Sequence, residues 1–178
     1  MICGLPLSGK TTIAEKLAPK LRIEHRDVDN DIRFRIFWRS PEQADLSERG
    51  KTRERNEMLS AYRVLLCVAE EFLGLGESIV VTATFSRDLY WEMTRRVMNN
   101  KPSAVLKVIQ CWIKDDSDEV IRRRIKARGT HTVNSLEHYW EVRDRYIKIL
   151  PVQHCVIDTS SEDAVEQNVE DALAYVLA

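Results

Sequence analysis

The chain has almost no excess of charge of either sign, and it has no long apolar run. Its 27 Lys and Arg residues against 28 Asp and Glu residues leave a formal net charge of −1. Proteins that grip long nucleic acids or anionic membrane surfaces usually carry a basic excess, so this balance disfavours both kinds of partner. No apolar segment approaches the roughly twenty residues of a membrane-spanning helix, and we therefore expect no membrane partner.

Cysteine is also scarce, and its four positions do not form a metal or redox motif. Cys3, Cys67, Cys111 and Cys155 are widely spaced, none belongs to a C-x-x-C pair, and each stands in an apolar segment. This pattern favours four buried, reduced thiols in a cytoplasmic protein over a disulfide framework or a zinc site.

Glycine is scarce as well, with six residues in 178, yet two of them stand in one short motif. Residues 4–11 read G-L-P-L-S-G-K-T, which is the pattern G-x-x-x-x-G-K-[ST] of a loop that binds nucleoside phosphates. Glycine lets the backbone turn so that successive N–H groups point at one anion. Lys10 can reach the outer phosphates, and the Thr11 hydroxyl can bind Mg²⁺. Because the motif begins at the fourth residue, we expect no signal peptide.

The residues around the motif fit this interpretation. Residues 1–3 are apolar, and residues 12–18 form an amphipathic pattern with Ile13 and Leu17 four apart, which predicts a helix that Pro19 ends. A helix that begins under the loop adds its positive dipole end to the phosphate site. The predicted nucleotide-binding residues are therefore Gly4, Leu5, Pro6, Leu7, Ser8, Gly9, Lys10, Thr11 and Thr12.

The rest of the chain alternates short apolar runs with helical stretches. Five such runs predict five short strands, and the order strand, helix, strand favours a mainly parallel α/β sheet covered by helices on both faces. No repeat or composition change divides the chain, so we expect one domain over residues 1–178. In such sheets the ligand lies at the carboxyl ends of the strands, and functional residues should follow each strand.

Three carboxylates follow the second predicted strand: Asp27, Asp29 and Asp31. An aspartate can accept the proton of an attacking hydroxyl, or hold Mg²⁺ through water. Acidic residues also decorate ordinary helix N-termini, which is the alternative. Arg33 either grips an anionic acceptor or is a surface charge. The candidate substrate contacts are Asp27, Asp31 and Arg33 and, after the third strand, Thr84 and Arg87.

The helix after the fourth strand carries a basic run. Arg124 and Arg128 are four residues apart and share one face of that helix. Phosphoryl transfer develops charge on the transferred oxygens, which arginines above the site can stabilise. A solvated basic face is the alternative. Arg128 precedes a Gly-Thr-His-Thr loop, so residues 122–136 are a candidate lid.

In this order, the motifs resemble the small P-loop kinases with an adenylate-kinase-like fold, and particularly their ATP-binding branch with the AAA label. The loop G-L-P-L-S-G-K-T-T is similar to that branch's G-L-P-G-S-G-K-S-T, and residues 33–37 are similar to its R-x-R-L-F. Residues 79–85 are similar to its V-I-V-D-A-T-F, and residues 124–128 to its R-L-x-x-R.

The resemblance implies strand order 2-3-1-4-5, with ATP and Mg²⁺ as ligands. It implies that a carboxylate of the acidic turn activates the acceptor hydroxyl; Asp29 is our preferred base and, with Thr11, a metal ligand. Lys10, Arg124 and Arg128 would complete the catalytic set, with Arg128 also on the nucleotide. Thr82 stands where the family pattern has an aspartate.

We therefore expect an ATP-dependent phosphotransferase that acts on a hydroxyl of a small molecule. Two alternatives stay open. One is an ATP- or GTP-binding module with little phosphotransfer, which the hydroxyl of Thr82 motivates. The other is a kinase of polynucleotide 5′ ends or nucleotide-sugars. The near-neutral net charge disfavours a kinase of long polynucleotides, because binding of a long nucleic acid needs a track of basic residues.

Overall fold

A computed structural model of the chain describes residues 1–37, 47–114, 118–128, 133, 135–144, 146 and 150–178, with only the backbone of Glu48. The described strands are β1 (Ile2–Gly4), β2 (Glu24–Asp27), β3 (Ile79–Thr82), β4 (Ile109–Trp112) and β5 (Cys155–Asp158). They form one sheet in the order β2-β3-β1-β4-β5, and every neighbouring pair is parallel. The predicted parallel sheet and its strand order are confirmed.

The helices connect the strands as the alternating pattern predicts. They are α1 (Lys10–Leu21), α2 (Phe34–Phe37), α3 (Glu48–Gly74), α4 (Asp88–Asn100), α5 (Asp118–Arg128), α6 (Leu136–Asp144) and α7 (Val165–Leu177). A π-helical turn over Val28–Arg33 joins β2 to α2. None of the described helices is long and apolar enough to cross a bilayer.

Each face of the sheet is covered by helices, so the strand residues alternate between two apolar clusters. Ile2 and Val80 belong to the cluster shared with α1 and α7. Cys3 and Val81, their neighbours in sequence, belong to the cluster shared with α3 and α4. This alternation follows from the two-residue period of a strand, and it explains why the strands read as continuous apolar runs.

The sequence predicted that Pro19 would end α1, and this prediction is wrong. The helix continues to Leu21, and it ends where Arg22 takes a left-handed conformation with φ 56°. The fixed φ of proline is close to the helical value, so Pro19 costs the last turn one backbone hydrogen bond without breaking it.

The prediction of four buried thiols is wrong for two of them. Cys3 and Cys111 are buried beside the sheet, but Cys67 is exposed and Cys155 is half-buried. Cys67 lies on the outer side of the amphipathic helix α3, where an apolar neighbourhood in sequence does not mean burial in space. Burial raises the pKa of the Cys3 thiol to about 11 and that of Cys111 to about 12.

Candidate active site

The phosphate-binding loop runs from the end of β1 to the start of α1, and its two glycines are required by geometry. Gly4 has φ 144°, and a Cβ there would lie 2.3 Å from the carbonyl oxygen of Cys111. Gly9 has φ 75° and precedes the first residue of α1. Both conformations are rarely adopted by other residues, so the loop shape depends on glycine at these positions.

Leu7 is a loop residue whose importance the motif does not indicate. It has φ 66°, a left-handed conformation that is uncommon for a side chain of this size. Its side chain is buried against Ile121 of α5 and Tyr139 of α6. Burial of a leucine contributes roughly 1.5–3 kcal/mol, which offsets the backbone strain. The loop is therefore packed onto the α5–α6 region.

Lys10 begins α1, and its side chain folds back over the loop. Its Nζ donates a hydrogen bond of 2.7 Å to the carbonyl oxygen of Leu5. Burial lowers the pKa of Lys10, and the nearby acidic groups Asp27 and Asp29 act in the opposite direction. The charges of the acidic turn that follows β2 therefore act on the ammonium group.

The π-helical turn places the three predicted acidic residues in different roles. Asp27 caps the turn, because its Oδ1 accepts hydrogen bonds from the backbone N–H groups of Asp29 (3.1 Å) and Asn30 (2.9 Å). Asp31 caps it in return, because its Oδ2 accepts from the N–H of Asp27 at 2.8 Å. Arg35 lies 3.7 Å from Asp31. Two of the three carboxylates thus hold the turn in shape.

Asp29 is the member of the three acidic residues whose side chain does not cap the turn. Among the described residues, no group donates a hydrogen bond to its buried Oδ1. Arg33 Nη1 lies 3.5 Å from that oxygen, and Arg33 is itself buried and paired with Glu54 at 2.7 Å. Burial raises the pKa of Asp29, against the opposing charge of Arg33. A carboxylate with a higher pKa is a better proton acceptor.

Thr82 ends β3 and contacts Asp27 on the neighbouring strand. Its hydroxyl donates a 2.7 Å hydrogen bond to Asp27 Oδ2, and His25 Nε2 lies 2.9 Å from the same hydroxyl oxygen. Burial lowers the pKa of His25, against the charge of Asp27, so its ring is neutral in neutral solution. The sequence singled out Thr82 but did not indicate its contact with His25.

The two predicted substrate residues after β3 differ in their surroundings. Thr84 is half-buried, whereas Arg87 is exposed and immediately precedes α4. Between them, Phe85 has φ 50° and its N–H donates to the hydroxyl of Tyr62 at 2.9 Å. This turn fixes where the chain leaves the sheet edge.

A pocket of about 220 Å³ lies on the side of the phosphate-binding loop that faces α5 and β5, away from the acidic turn after β2. Its lining comes from the loop, α1, α5 and the β5–α7 connection: Leu7, Gly9, Thr12, Ile13, Arg124, Ala127, Arg128, Thr159, Ser161, Glu162, Val165 and Asn168. Most of its lining surface is apolar, and a few polar side chains contribute to it. A pocket with such a lining, next to a phosphate loop, is suited to a nucleoside.

Arg124 connects three elements at this pocket. Its guanidinium donates hydrogen bonds to the carbonyl oxygen of Leu7, at 2.8 Å, and to that of Thr159. The Thr159 hydroxyl in turn donates to the carbonyl oxygen of Ser8 at 2.9 Å. Arg128, one turn later, is exposed at the mouth of the pocket. Thr159 has no motif of its own, so sequence reasoning did not single it out.

A second, more open groove lies beside the acidic turn. Among the described residues its lining is Phe37, Arg49, Thr52, Arg53, Asn56, Glu57 and Ser60, and its volume is about 760 Å³. Phe37 lies four residues after Arg33, and Glu57 lies three residues after Glu54. The groove therefore adjoins the ion pair between the buried Arg33 and the exposed Glu54.

The predicted lid falls partly outside the described residues. Of residues 122–136, the structure describes the end of α5, Val133 and the start of α6. The Gly-Thr-His-Thr loop of the candidate lid lies outside the described ranges.

Comparisons with known proteins agree with this geometry. The model of the AAA domain family matches residues 1–149. A comparison with the curated proteins found no match.

Solved structures share the whole fold at low sequence identity. A protein from Chloroflexus aurantiacus J-10-fl, to which a kinase activity is ascribed, aligns with TM-score 0.74 and 23% identity over 99% of this chain and 94% of its own. A sugar kinase from Janibacter sp. HTCC2649 aligns with TM-score 0.69 and 20% identity over 98% and 91%. The APS kinase of Mycobacterium tuberculosis, in complex with AMPPNP and APS, aligns with TM-score 0.59 and 14% identity over 99% and 95%.

The family match spans most of the chain, and the strand order, the loop and the sheet agree with it. The chain therefore belongs to the AAA domain family, and it has the fold of the small P-loop kinases.

Proposed function

We propose that the protein is an ATP-dependent kinase that transfers the γ-phosphoryl group to a hydroxyl of a small molecule. The observation that carries the proposal is the position of Asp29. Its buried oxygen accepts no hydrogen bond from the described residues, and its charge acts on Lys10, the lysine of the phosphate-binding loop. A proton acceptor and a phosphate site thus lie at the same edge of the sheet.

The nucleotide would bind across the loop. The backbone N–H groups of Leu5 and of residues 7–10, together with the positive end of α1, would bind the phosphates, and Lys10 would contact the outer two. The nucleoside would occupy the pocket of about 220 Å³ between α1, α5 and the β5–α7 connection. The APS kinase of Mycobacterium tuberculosis shares the fold and was solved with AMPPNP, which supports an adenine nucleotide as the ligand.

The donor set also fits a divalent cation. Thr11 offers a hydroxyl in the first turn of α1, and the carboxylates of Asp29 and Asp27 lie near Lys10. Hydroxyl, carboxylate and water oxygens are the ligands that Mg²⁺ uses with substrate phosphates. When bound, Mg²⁺ neutralises charge on the phosphate oxygens. Among the described residues no ready-made cage of three His, Cys, Asp or Glu side chains exists, so water and phosphate would supply most ligands.

The acceptor would approach from the side of the groove at α2 and α3. Its hydroxyl proton would pass to Asp29 as its oxygen attacks the γ-phosphorus. The bond from that phosphorus to the bridging oxygen would break, and ADP would leave. Arg33, Asp31, Thr84 and Arg87 are the proposed acceptor contacts. The charged lining of the groove favours a polar acceptor.

Arg124 and Arg128 would act from the other side. In our proposal they close over the transferred phosphoryl group, where positive charge stabilises the transition state. The hydrogen bonds of Arg124 to two backbone carbonyls support a further role, in which it holds the loop and the β5–α7 connection at a fixed separation.

A transfer assay tests the proposal. The purified protein is incubated with Mg²⁺ and γ-labelled ATP or GTP, together with a panel of hydroxyl-bearing metabolites, nucleotide-sugars and 5′-hydroxyl oligonucleotides. We expect label on one small-molecule acceptor, and no label with Lys10→Ala. Removal of the phosphate-binding charge should lower turnover by about 100-fold or more, while the circular dichroism spectrum stays unchanged.

The other outcomes identify the alternatives. Tight nucleotide binding without labelled product from any acceptor would indicate a nucleotide-binding module. Label on oligonucleotide ends that falls steeply with salt concentration would indicate a polynucleotide kinase. Unchanged transfer by Lys10→Ala would show that the loop does not carry the reaction.

A further inference from the structure

Thr82 is the centre of a hydrogen-bonded chain of three side chains on two neighbouring strands. Its side chain is 0% exposed. Its hydroxyl lies 2.7 Å from Asp27 Oδ2 and 2.9 Å from His25 Nε2. No motif predicts this chain, because Thr82 is more than fifty residues away in sequence from His25 and Asp27.

The strand register explains why these residues meet. In the parallel pair of β2 and β3, Asp27 stands opposite Thr82. His25 is two residues before Asp27 and therefore shares its face of the sheet. Val80, two residues before Thr82, packs with α1 on that same face. The chain of side chains thus lies on the face covered by α1, the helix that begins with Lys10.

The proton positions follow from counting donors. The Thr82 hydroxyl has one proton, and the carboxylate of Asp27 can only accept it. The hydroxyl oxygen must then accept a hydrogen bond from His25, so the proton of the neutral ring is assigned to Nε2. His25 orients Thr82, and Thr82 orients Asp27.

The carboxylate of Asp27 is held on both of its oxygens. Oδ2 accepts from Thr82, and Oδ1 accepts from the N–H groups of Asp29 and Asn30. A carboxylate that accepts hydrogen bonds from three fixed donors cannot rotate, but its oxygens can accept about one further hydrogen bond. A group with one remaining acceptor position in a fixed direction is suited to bind a metal-bound water.

We propose that Thr82 and His25 are positioning residues for Asp27, and that these three side chains take the place of the aspartate that the family pattern has at the end of the third strand. This inference rests on the proposed function, because the aimed carboxylate is useful only beside a nucleotide with its divalent cation. It also explains why an aspartate at position 82 is unsuitable here. Its carboxylate would lie within hydrogen-bond distance of Asp27, and two like charges at that distance repel.

The first measurement needs neither nucleotide nor turnover. Nitrogen-15 NMR of the imidazole rings reports which ring nitrogen carries the proton. We expect wild-type His25 to be the Nε2–H tautomer, and we expect a mixture of tautomers in Thr82→Val. Thr82→Ser keeps the hydroxyl and should restore the single tautomer. A mixed or Nδ1–H tautomer in the wild type would overturn the proposal.

The second measurement is a titration with Mn²⁺ in the presence of a non-hydrolysable ATP analogue. Groups that orient a metal's surroundings typically change its affinity by about 10–100-fold, so we expect Thr82→Val to weaken Mn²⁺ binding by about 10-fold and Thr82→Ser to recover most of it. Thr94→Val is the control for a buried hydroxyl, because within the described part of the chain the Thr94 hydroxyl donates to the carbonyl oxygen of Tyr90 in its own helix. It should bind Mn²⁺ as the wild type does.

Thr82→Asp gives the sharpest contrast. Our proposal predicts that restoring the family residue weakens Mn²⁺ binding, because the new carboxylate displaces Asp27. Tighter binding in Thr82→Asp would contradict the proposal and would mean that Thr82 is merely a missing ligand. Equal loss in Thr82→Val and Thr94→Val would contradict it too. If instead the wild type transfers no phosphoryl group, the proposed function fails, while the tautomer and Mn²⁺ results still decide the role of Thr82.

Discussion

The two sides of the phosphate-binding loop differ in the side chains that surround them. On the side of β2 and α3, the buried side chains of Asp27 and Arg33 are connected to their neighbours by short hydrogen bonds and ion pairs, as in the contact of Asp27 with Thr82. On the side of α5 and β5, the pocket is lined largely by apolar atoms, and its buried polar contacts run from side chains to backbone carbonyls, as with Arg124.

This difference matches the two tasks of a kinase. Proton transfer needs a charged group with a tuned pKa and few degrees of freedom, which the capped turn around Asp29 provides. Binding of a nucleoside needs a preformed, partly apolar cavity, which the second side provides. The loop lies between the two, so a phosphoryl group held there would have its donor on one side and its acceptor on the other.

A large effect confined to the nucleotide side should come from Arg124. Replacement by methionine keeps much of the apolar stem of the side chain and removes two hydrogen bonds from a charged group, each worth about 1.5–3 kcal/mol. We expect Arg124→Met to raise the KM for ATP about 10-fold or more, without a comparable change in the KM for the acceptor. Steady-state kinetics with each substrate varied in turn would measure this.

Arg123 is the matched control for Arg124. It is the preceding residue on α5, exposed, and it forms a surface ion pair with Glu162 at 3.3 Å. Such pairs contribute about 0–1 kcal/mol, so Arg123→Met should change the KM for ATP little. If the two variants behaved alike, the fixed separation of loop and β5 would not matter for nucleotide binding.

A smaller effect should appear in the stability of Asp29→Asn. Burial raises the pKa of Asp29 in the folded protein above its unfolded value. The wild type therefore binds this proton more tightly when folded, and it loses stability as pH rises through the raised pKa. The side chain of the Asp29→Asn variant does not titrate, so the variant does not lose this stability as the pH rises. We expect Asp29→Asn to melt at the same or a higher temperature at neutral pH, with the advantage vanishing in acid.

Thermal unfolding monitored by circular dichroism from acid to neutral pH would show this trend. For a domain of this size, each kcal/mol moves the Tm by roughly 2–4 °C. A variant that is destabilised at neutral pH and equal to the wild type in acid would mean that Arg33 stabilises the charged Asp29 more than burial destabilises it.

The sequence predicted the sheet and the loop because both depend on local patterns. Apolar runs of the length of β3 identify strands, and the spacing of Gly4, Gly9 and Lys10 identifies the loop. The exposure of Cys67 was predicted wrongly, because an apolar neighbourhood does not say which side of a long helix faces the core.

Contacts between distant segments could not be predicted from the sequence. The hydrogen bonds of Thr82 to His25 and Asp27 depend on strand register, which no single segment contains. The separation of the three acidic residues into two caps and one available carboxylate depends on the π-helical turn, since an α-helical turn would place their side chains differently. From the sequence alone, Asp29 was the preferred base among the three aspartates, but the different contacts of the three could not be predicted.

The most direct test of the account compares Asp29→Asn with Asp31→Asn, using the acceptor found in the transfer assay. Calorimetric titration gives the affinity for ATP with Mg²⁺, and product formation gives the turnover. General-base catalysis typically contributes about 10²–10⁴-fold. We therefore predict that Asp29→Asn lowers turnover by at least about 100-fold while ATP binds within a few-fold of the wild type, and that Asp31→Asn loses far less. Turnover by Asp29→Asn within a few-fold of the wild type would contradict the assignment of Asp29 as the base.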